Sequence, residues 1–182
     1  MKIKIMGIFI IPLIILSCAT FQGTFDTLEN STSQRQTNGA ARTMPSSALP
    51  ISIPESSNAN AFEWSVFQLT NVERENRGVP PLQWDNILGA AARAHTEDMV
   101  RNNFFSHTGS DHSNVGQRLT RAGFTWSRVA ENIADGQQSP EEVISTWMNS
   151  PGHRANILDP ALTHIGVGFT ANKWTQKFGT PR

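Results

Sequence analysis

The stretch TWMNSPGHRANIL, residues 146–158, sets a Ser, a Pro, a Gly, a His and an Arg between two apolar anchors. A connection that only reverses the chain needs the Pro and the Gly, because one fixes φ and the other accepts left-handed backbone. It needs neither His153 nor Arg154. Just upstream, Ser139-Pro140-Glu141-Glu142 spells a helix start: Ser as cap, Pro at the first helical position, Glu three residues after the cap. That helix carries Val143, Ile144 and Trp147, and Pro151-Gly152 is expected to stop it. Downstream, THIGVGFTANKWTQKFG reads as two short strands joined by a turn at Ala171-Asn172. His153 thus stands between a helix and a closing hairpin, and its purpose depends on what else reaches it.

Working outward, a first helix is expected over Ala61–Arg77, with Phe62, Val66, Leu69 and Val72 as its apolar stripe. Gly78 ends it and Pro80-Pro81 keeps it from resuming. Asp85 caps a second helix, Asn86–Asn103, in which Leu88, Ala92, His95 and Met99 share a face. His95 is therefore expected inside, with its ring nitrogens bonded. A polar loop, FFSHTGSDHSN, leads into a short helix from Asn114 to Ala122, and WSRVAENIA reads as at least partly extended. His112 is expected to be exposed, His164 to sit at a strand end, and Asp159-Pro160 to turn the chain. Helices alternating with a few strands predict an α+β domain, a small sheet covered by helices.

The N-terminal third is different material. MKIKIMGIFIIPLIILSC begins with two lysines and continues as an apolar run too short to span a bilayer, which reads as an export signal over residues 1–17. The ending Ile15-Leu16-Ser17-Cys18 resembles a bacterial lipobox, which implies a lipid on Cys18 and anchorage to a membrane of the cell envelope. Residues 18–60 are rich in Ser, Thr, Asn and Gln without an apolar period, so they read as a flexible tether. The folded domain is expected over 61–182, where every Trp and every His lies. Cys18 is the only cysteine, so the domain has no disulfide to help hold it. The 15 basic and 15 acidic side chains form no long run of one sign, which argues against a nucleic-acid partner.

Four segments then stand out in order: FSHTGSD (105–111), AENIA (130–134), SPGHRANIL (150–158) and HIGVGF (164–169). Together they resemble the bacterial branch of the CAP superfamily, whose SCP domain is shared by cysteine-rich secretory proteins, antigen 5 and plant pathogenesis-related proteins. The resemblance covers residues 62–179. It implies a three-layer α-β-α sandwich with a small, mainly antiparallel sheet and a central cleft lined by two His and two acidic residues. Carried over position by position, His107, Glu131 and His153 line that cleft. Many members carry a second Glu three residues after the helix Trp; here Ser150 follows Trp147 at that distance. Asp111 and Glu97 are the nearby carboxylates that could replace it.

Two imidazoles and a carboxylate are a ligand set for a divalent cation, and nitrogen donors favour zinc. Glu131-Asn132 also has a plain reading as a backbone tie, Arg154 as one half of an ion pair, and Asn156 as a turn-former. At the level of function, the resemblance implies an extracellular or envelope binding module for a lipid, glycan or peptide ligand. The competing class is a hydrolase. A Ser-His-Glu arrangement can be drawn from Ser106, Ser110 or Ser150, but no Gly-x-Ser-x-Gly elbow accompanies it. A metal-activated water held by His107 and His153, with Glu131 as catalytic base, is the better enzyme version. Two facing imidazoles cannot both be charged cheaply, so binding or stability is expected to change between about pH 5 and 7.

Overall fold

A computed structural model describes residues 52–182. The expected signal segment, Cys18 and most of the tether lie outside the described residues. Ser56–Asn60, read from the sequence as the end of the tether, are fastened down. Asn58 bonds to both backbone and side chain of Asn86, and its carbonyl accepts from Arg93.

Helix α1 (Ala61–Glu75) opens with a reciprocal cap: Asn60 Oδ1 accepts from Glu63 N and the Glu63 carboxylate accepts from Asn60 N. Its inward face corrects the apolar stripe. Val66 is buried, but Phe62 and Val72 are exposed, and the other inward positions include Glu63, Thr70 and Arg74. Polar groups survive there because each is satisfied. Glu63 receives Arg93 Nε at 2.8 Å, Thr70 Oγ1 receives Gln176 Nε2, and Arg74 donates to the carbonyls of Pro80, Ile157, Asp159 and Leu162 at 2.7–3.1 Å.

The remaining elements are β1 (Gln83–Trp84), α2 (Asn86–Arg101), α3 (Val115–Arg121), β2 (Trp126–Asp135), α4 (Pro140–Asn149), α5 (Pro151–Ile157), β3 (His164–Thr170) and β4 (Lys173–Pro181). Helix α4 stops at Asn149, just before Pro151-Gly152, as expected. The chain turns at Ser150, and Pro151 becomes the first residue of α5, where a missing N–H costs nothing. Strand β1 is too short to show a period, and the sequence did not announce it. It pairs in parallel with β3, while β3–β4 and β4–β2 are antiparallel, in the order β1-β3-β4-β2. The β3–β4 turn uses Ala171 and Asn172 with φ of 48° and 60°, the left-handed pair that a two-residue hairpin requires.

Strand alternation then sends side chains to two different layers. On one face, Ile165 and Val167 of β3 and Trp174 and Phe178 of β4 meet Val66 of α1, Val143, Ile144 and Trp147 of α4, and Ile157 of α5. This is the main apolar core. On the other face the middle of β3 offers Gly166 and Gly168, and α2 lies directly on them. A Cβ on Gly166 would fall 2.0 Å from Gly89 N, and one on Gly168 2.4 Å from Arg93 N. The same layer holds a smaller apolar cluster in which Leu88 and Ala91 of α2 pack with Leu119 and Phe124. Helices on both faces of a four-stranded sheet give the expected α+β sandwich.

Candidate functional site

The candidate site forms around β2, an edge strand. Glu131 and Lys177 are register partners on β2 and β4, so both side chains point toward the α2–α3 layer. Asn132 and Gln176, the next pair, point to the opposite layer, where Asn132 Nδ2 donates to Gln176 Oε1 and to the carbonyl of His153. Asn156 of α5 donates to Glu131 O and to Asn132 Oδ1. It therefore ties α5 to β2, where the sequence suggested only a turn. Trp147 Nε1 donates to Ile133 O, so side chains from α4 and α5 cover this part of the edge strand.

Glu131 is nearly buried, yet its carboxylate meets a ring of donors. His107 Nδ1 lies 2.9 Å from Oε1, Arg118 reaches both oxygens at 3.0 and 3.1 Å, and Lys177 Nζ bonds Oε2. His95 Nε2 stands 3.7 Å from Oε1. Burial opposes ionisation of Glu131. The bond from His107 and the charges of Lys177, His95 and Arg118 outweigh it and bring the pKa down to about 2. Lys177 is wholly buried. Desolvation lowers its ammonium to about 8 even though Glu131 pulls the other way.

Each donor is held in turn. Arg118 also bonds the carbonyls of His107 and Ser113, so one guanidinium staples the 107–113 loop to Glu131. Asp98 accepts from Ser110 N and Oγ, tying the same loop to α2. His107 is left more than half exposed with Nδ1 committed to Glu131. His153 comes from α5 on the other side of the strand. Its Nδ1 is buried without a partner; burial, and then the proximity of His107, lowers its pKa. The charge of His107 thus acts on His153, and this charge effect is what links the two imidazoles.

The other sequence expectations divide. His95 is inside, but only one ring nitrogen is bonded: Nε2 faces Ser106 O at 3.0 Å and Nδ1 has no partner. His112 is exposed, and His164 opens β3 with Nδ1 against the Thr163 hydroxyl. Ser150 joins α4 to α5 without a side-chain cap bond. Asp111 pairs with Arg121 at 2.5 Å and Glu97 is exposed on α2, so neither stands in for the second carboxylate. Arg154 has no ion pair among the described residues, whereas Asp159 does more than turn the chain and binds Arg128. Arg118 and Lys177 were missed. Lys177 alternates with Trp174, Gln176 and Phe178 like a solvent-side residue, and nothing in the sequence says that helices cover both faces.

Among the described residues, no three His, Cys, Asp or Glu side chains are grouped as ligands for an ion. The Glu131 oxygens already face two cations and a ring N–H. The donors left for a metal are the two imidazoles.

The family model described as the cysteine-rich secretory protein family, CAP, matches residues 67–178. The chain belongs to the CAP family. It is 39% identical over 152 residues to the uncharacterized protein YkwD of Bacillus subtilis (strain 168), covering 82% of this chain and 57% of that protein. It is 35% identical over 116 residues to the uncharacterized membrane protein YlbC of the same organism, covering 64% of this chain and 34% of that one. Among solved structures, an SCP-domain extracellular protein from Bacillus anthracis str. Ames superposes with a TM-score of 0.63 at 35% identity, over 64% of this chain and 39% of that one. An outer surface protein of Borrelia burgdorferi, 20% identical over 64% of this chain and 90% of its own, shares the fold with a TM-score of 0.60. The chain thus spans only about a third to a little over half the length of the curated relatives it matches.

Proposed function

We propose that this CAP domain is an exported, non-catalytic binding module whose cleft, lined by His107, Glu131, His153 and Ser150, takes a lipid, glycan or peptide ligand. The observation that carries the reading is the state of Glu131. A carboxylate bonded by Arg118, Lys177 and His107 and held near pKa 2 is a poor catalytic base. It is well suited to fixing His107 in one orientation at the cleft mouth. The serines lend the hydrolase reading no help: Ser150 has no bonded histidine, and Ser106 Oγ accepts from Thr108 N. Export is supported by the signal-like N-terminus and by the extracellular SCP-domain relative. Lipidation at Cys18 would anchor the domain on its tether to a membrane of the envelope.

A divalent cation, if it is part of the working site, would be held by His107 and His153, and nitrogen donors make zinc the fitting ion. Glu131 would then orient His107 from behind instead of coordinating directly. Bound there, the ion would polarise an oxygen of the ligand.

The test pairs hydrolysis assays on ester, peptide and glycoside substrates with the His107→Ala/His153→Ala double variant. The binding reading expects no turnover above that of the variant, with ligand contact reported by the His153 ring resonances. Turnover present in the parent and abolished in a folded double variant would overturn it.

A further inference from the structure

A groove of about 600 Å3 lies between the side of α3 and the outer edge of β2. Val115, Gly116, Thr120 and Arg121 belong to its α3 wall, Trp126 and Val129 to its β2 wall. The indole is fixed: its Nε1 donates to Thr120 Oγ1 at 3.2 Å, and a Cβ on Gly116 would come within 2.8 Å of the ring. None of the residues that hold the Glu131 carboxylate lines this groove. Val129 nevertheless stands only two residues before Glu131 on the same strand, so the groove leads along the edge toward the cleft.

The main chain beside the groove is unpaired. The two-residue turn at Ala171-Asn172 makes Thr170 and Lys173 a bonded pair, and alternation along β4 then turns the N–H and C=O of Trp174, Gln176, Phe178 and Thr180 toward β2. Their register partners are Ala134, Asn132, Ala130 and Arg128, so Ile133, Glu131 and Val129 direct theirs outward. The helical layer agrees: Trp147 donates to Ile133 O and Asn156 to Glu131 O from outside the sheet. Among the described residues nothing bonds to the N–H or C=O of Val129. That residue therefore presents an open donor and acceptor at the mouth of the groove.

One residue of an extended peptide satisfies both groups by exchanging two main-chain bonds with Val129. A lipid tail satisfies neither. The side chain of that residue falls on the same face of the sheet as Val129, which carries it into the groove beside Trp126. Charge narrows the class further. Around this edge four cations, Arg118, Arg121, Arg128 and Lys177, share three carboxylates, Glu131, Asp111 and Asp159, and no carboxylate lines the groove. The surplus favours a peptide that brings a carboxylate of its own. We propose that the outer edge of β2 at Val129 docks an extended acidic peptide by strand addition, with one of its apolar side chains in the groove. This rests on the reading of the domain as a binding module and names its ligand class.

The test pans a phage-displayed library of random linear peptides against the full chain and titrates the enriched sequences, synthesised with capped ends, by NMR. In the free protein the Val129 amide hydrogen should exchange faster than that of Ala130. Binding should slow it and give saturable shifts at Val129 N–H and the Trp126 indole, with a Kd on the order of 100 μM. Val129→Pro removes the outward N–H without breaking a bond to β4, and should weaken binding about tenfold. Should that variant fold poorly, an N-methyl scan of the peptide makes the same cut from the ligand side, and at least one internal position should cost as much. The proposal is overturned if no peptide is enriched, if enriched peptides leave Val129 and Trp126 undisturbed, or if neither the folded proline variant nor any N-methyl position weakens binding. Peptides that shift only the His153 ring would sink strand addition and leave the cleft reading standing. Cleavage of a peptide docked at Val129 would support the docking site and sink the non-catalytic reading.

Discussion

Arg74 and Glu131 are both buried charges at the seams between helices and sheet, and their surroundings differ in kind. Arg74 is solvated by four backbone carbonyls, from Pro80, Ile157, Asp159 and Leu162, groups that neither titrate nor move without the chain. Glu131 is solvated by side chains: an imidazole, a guanidinium and an ammonium, with a second imidazole close by. The first arrangement locks the connection before β3 to α1 and has nothing to offer a ligand. The second holds His107 more than half in solvent, where its charge acts on His153. A buried charge answered by backbone reads as structure; one answered by titratable groups at an open edge reads as a site.

The contrast breaks most visibly when the central charge is removed. Glu131→Ala leaves Lys177 and Arg118 buried without their counter-ion, and should lower stability by about 3–5 kcal/mol in urea unfolding. Adding Lys177→Met should recover part of that loss. No recovery would mean that the cations are not answered by Glu131. Arg74→Met should cost about 2–4 kcal/mol, because several carbonyls lose their donor together. That cost should stay constant between pH 5 and 8, since nothing around Arg74 titrates there.

Acid separates the two regions further. Desolvation outweighs the pull of Glu131 and brings His95 from an ordinary 6.5 to about 4. The unfolded chain therefore binds a proton that the folded chain refuses, and stability falls as pH drops from about 6.5 to 4. His153, lowered by burial and by His107, adds to the same trend. Glu131 extends the loss below pH 4.5, the range in which unfolded carboxylates protonate first. A loss on the order of 2 kcal/mol between pH 7 and 4.5 is expected from urea midpoints, and much less in His95→Gln. A flat profile would contradict the buried, neutral ring. The smallest effect belongs to the surface. Arg128→Ala removes an exposed partner of Asp159 and should shift stability by less than about 0.5 kcal/mol.

Much of the fold was legible because caps and turns are local. Ser139-Pro140, Asp85 and Ala171-Asn172 act where the sequence puts them. Non-local arrangements were not legible. Strand β1 exists only because β3 offers it a partner, and the inward face of α1 is set by Arg74 reaching carbonyls more than eighty residues away. The site divides the same way. His107, Glu131 and His153 carry family motifs. Arg118 and Lys177 are ordinary basic residues until the sheet is covered on both faces and they have no anion but Glu131. Ser150, the departure from the family pattern, leaves Glu131 as the single carboxylate that those cations share.

The central claim is that His107 and His153, brought from opposite layers, are coupled by charge. A pH titration of the His153 ring by NMR, in the parent and in His107→Ala, tests it most directly. The account predicts that His153 titrates below the usual histidine range and moves upward when His107 is removed. An unperturbed His153, or one indifferent to the loss of His107, would contradict it.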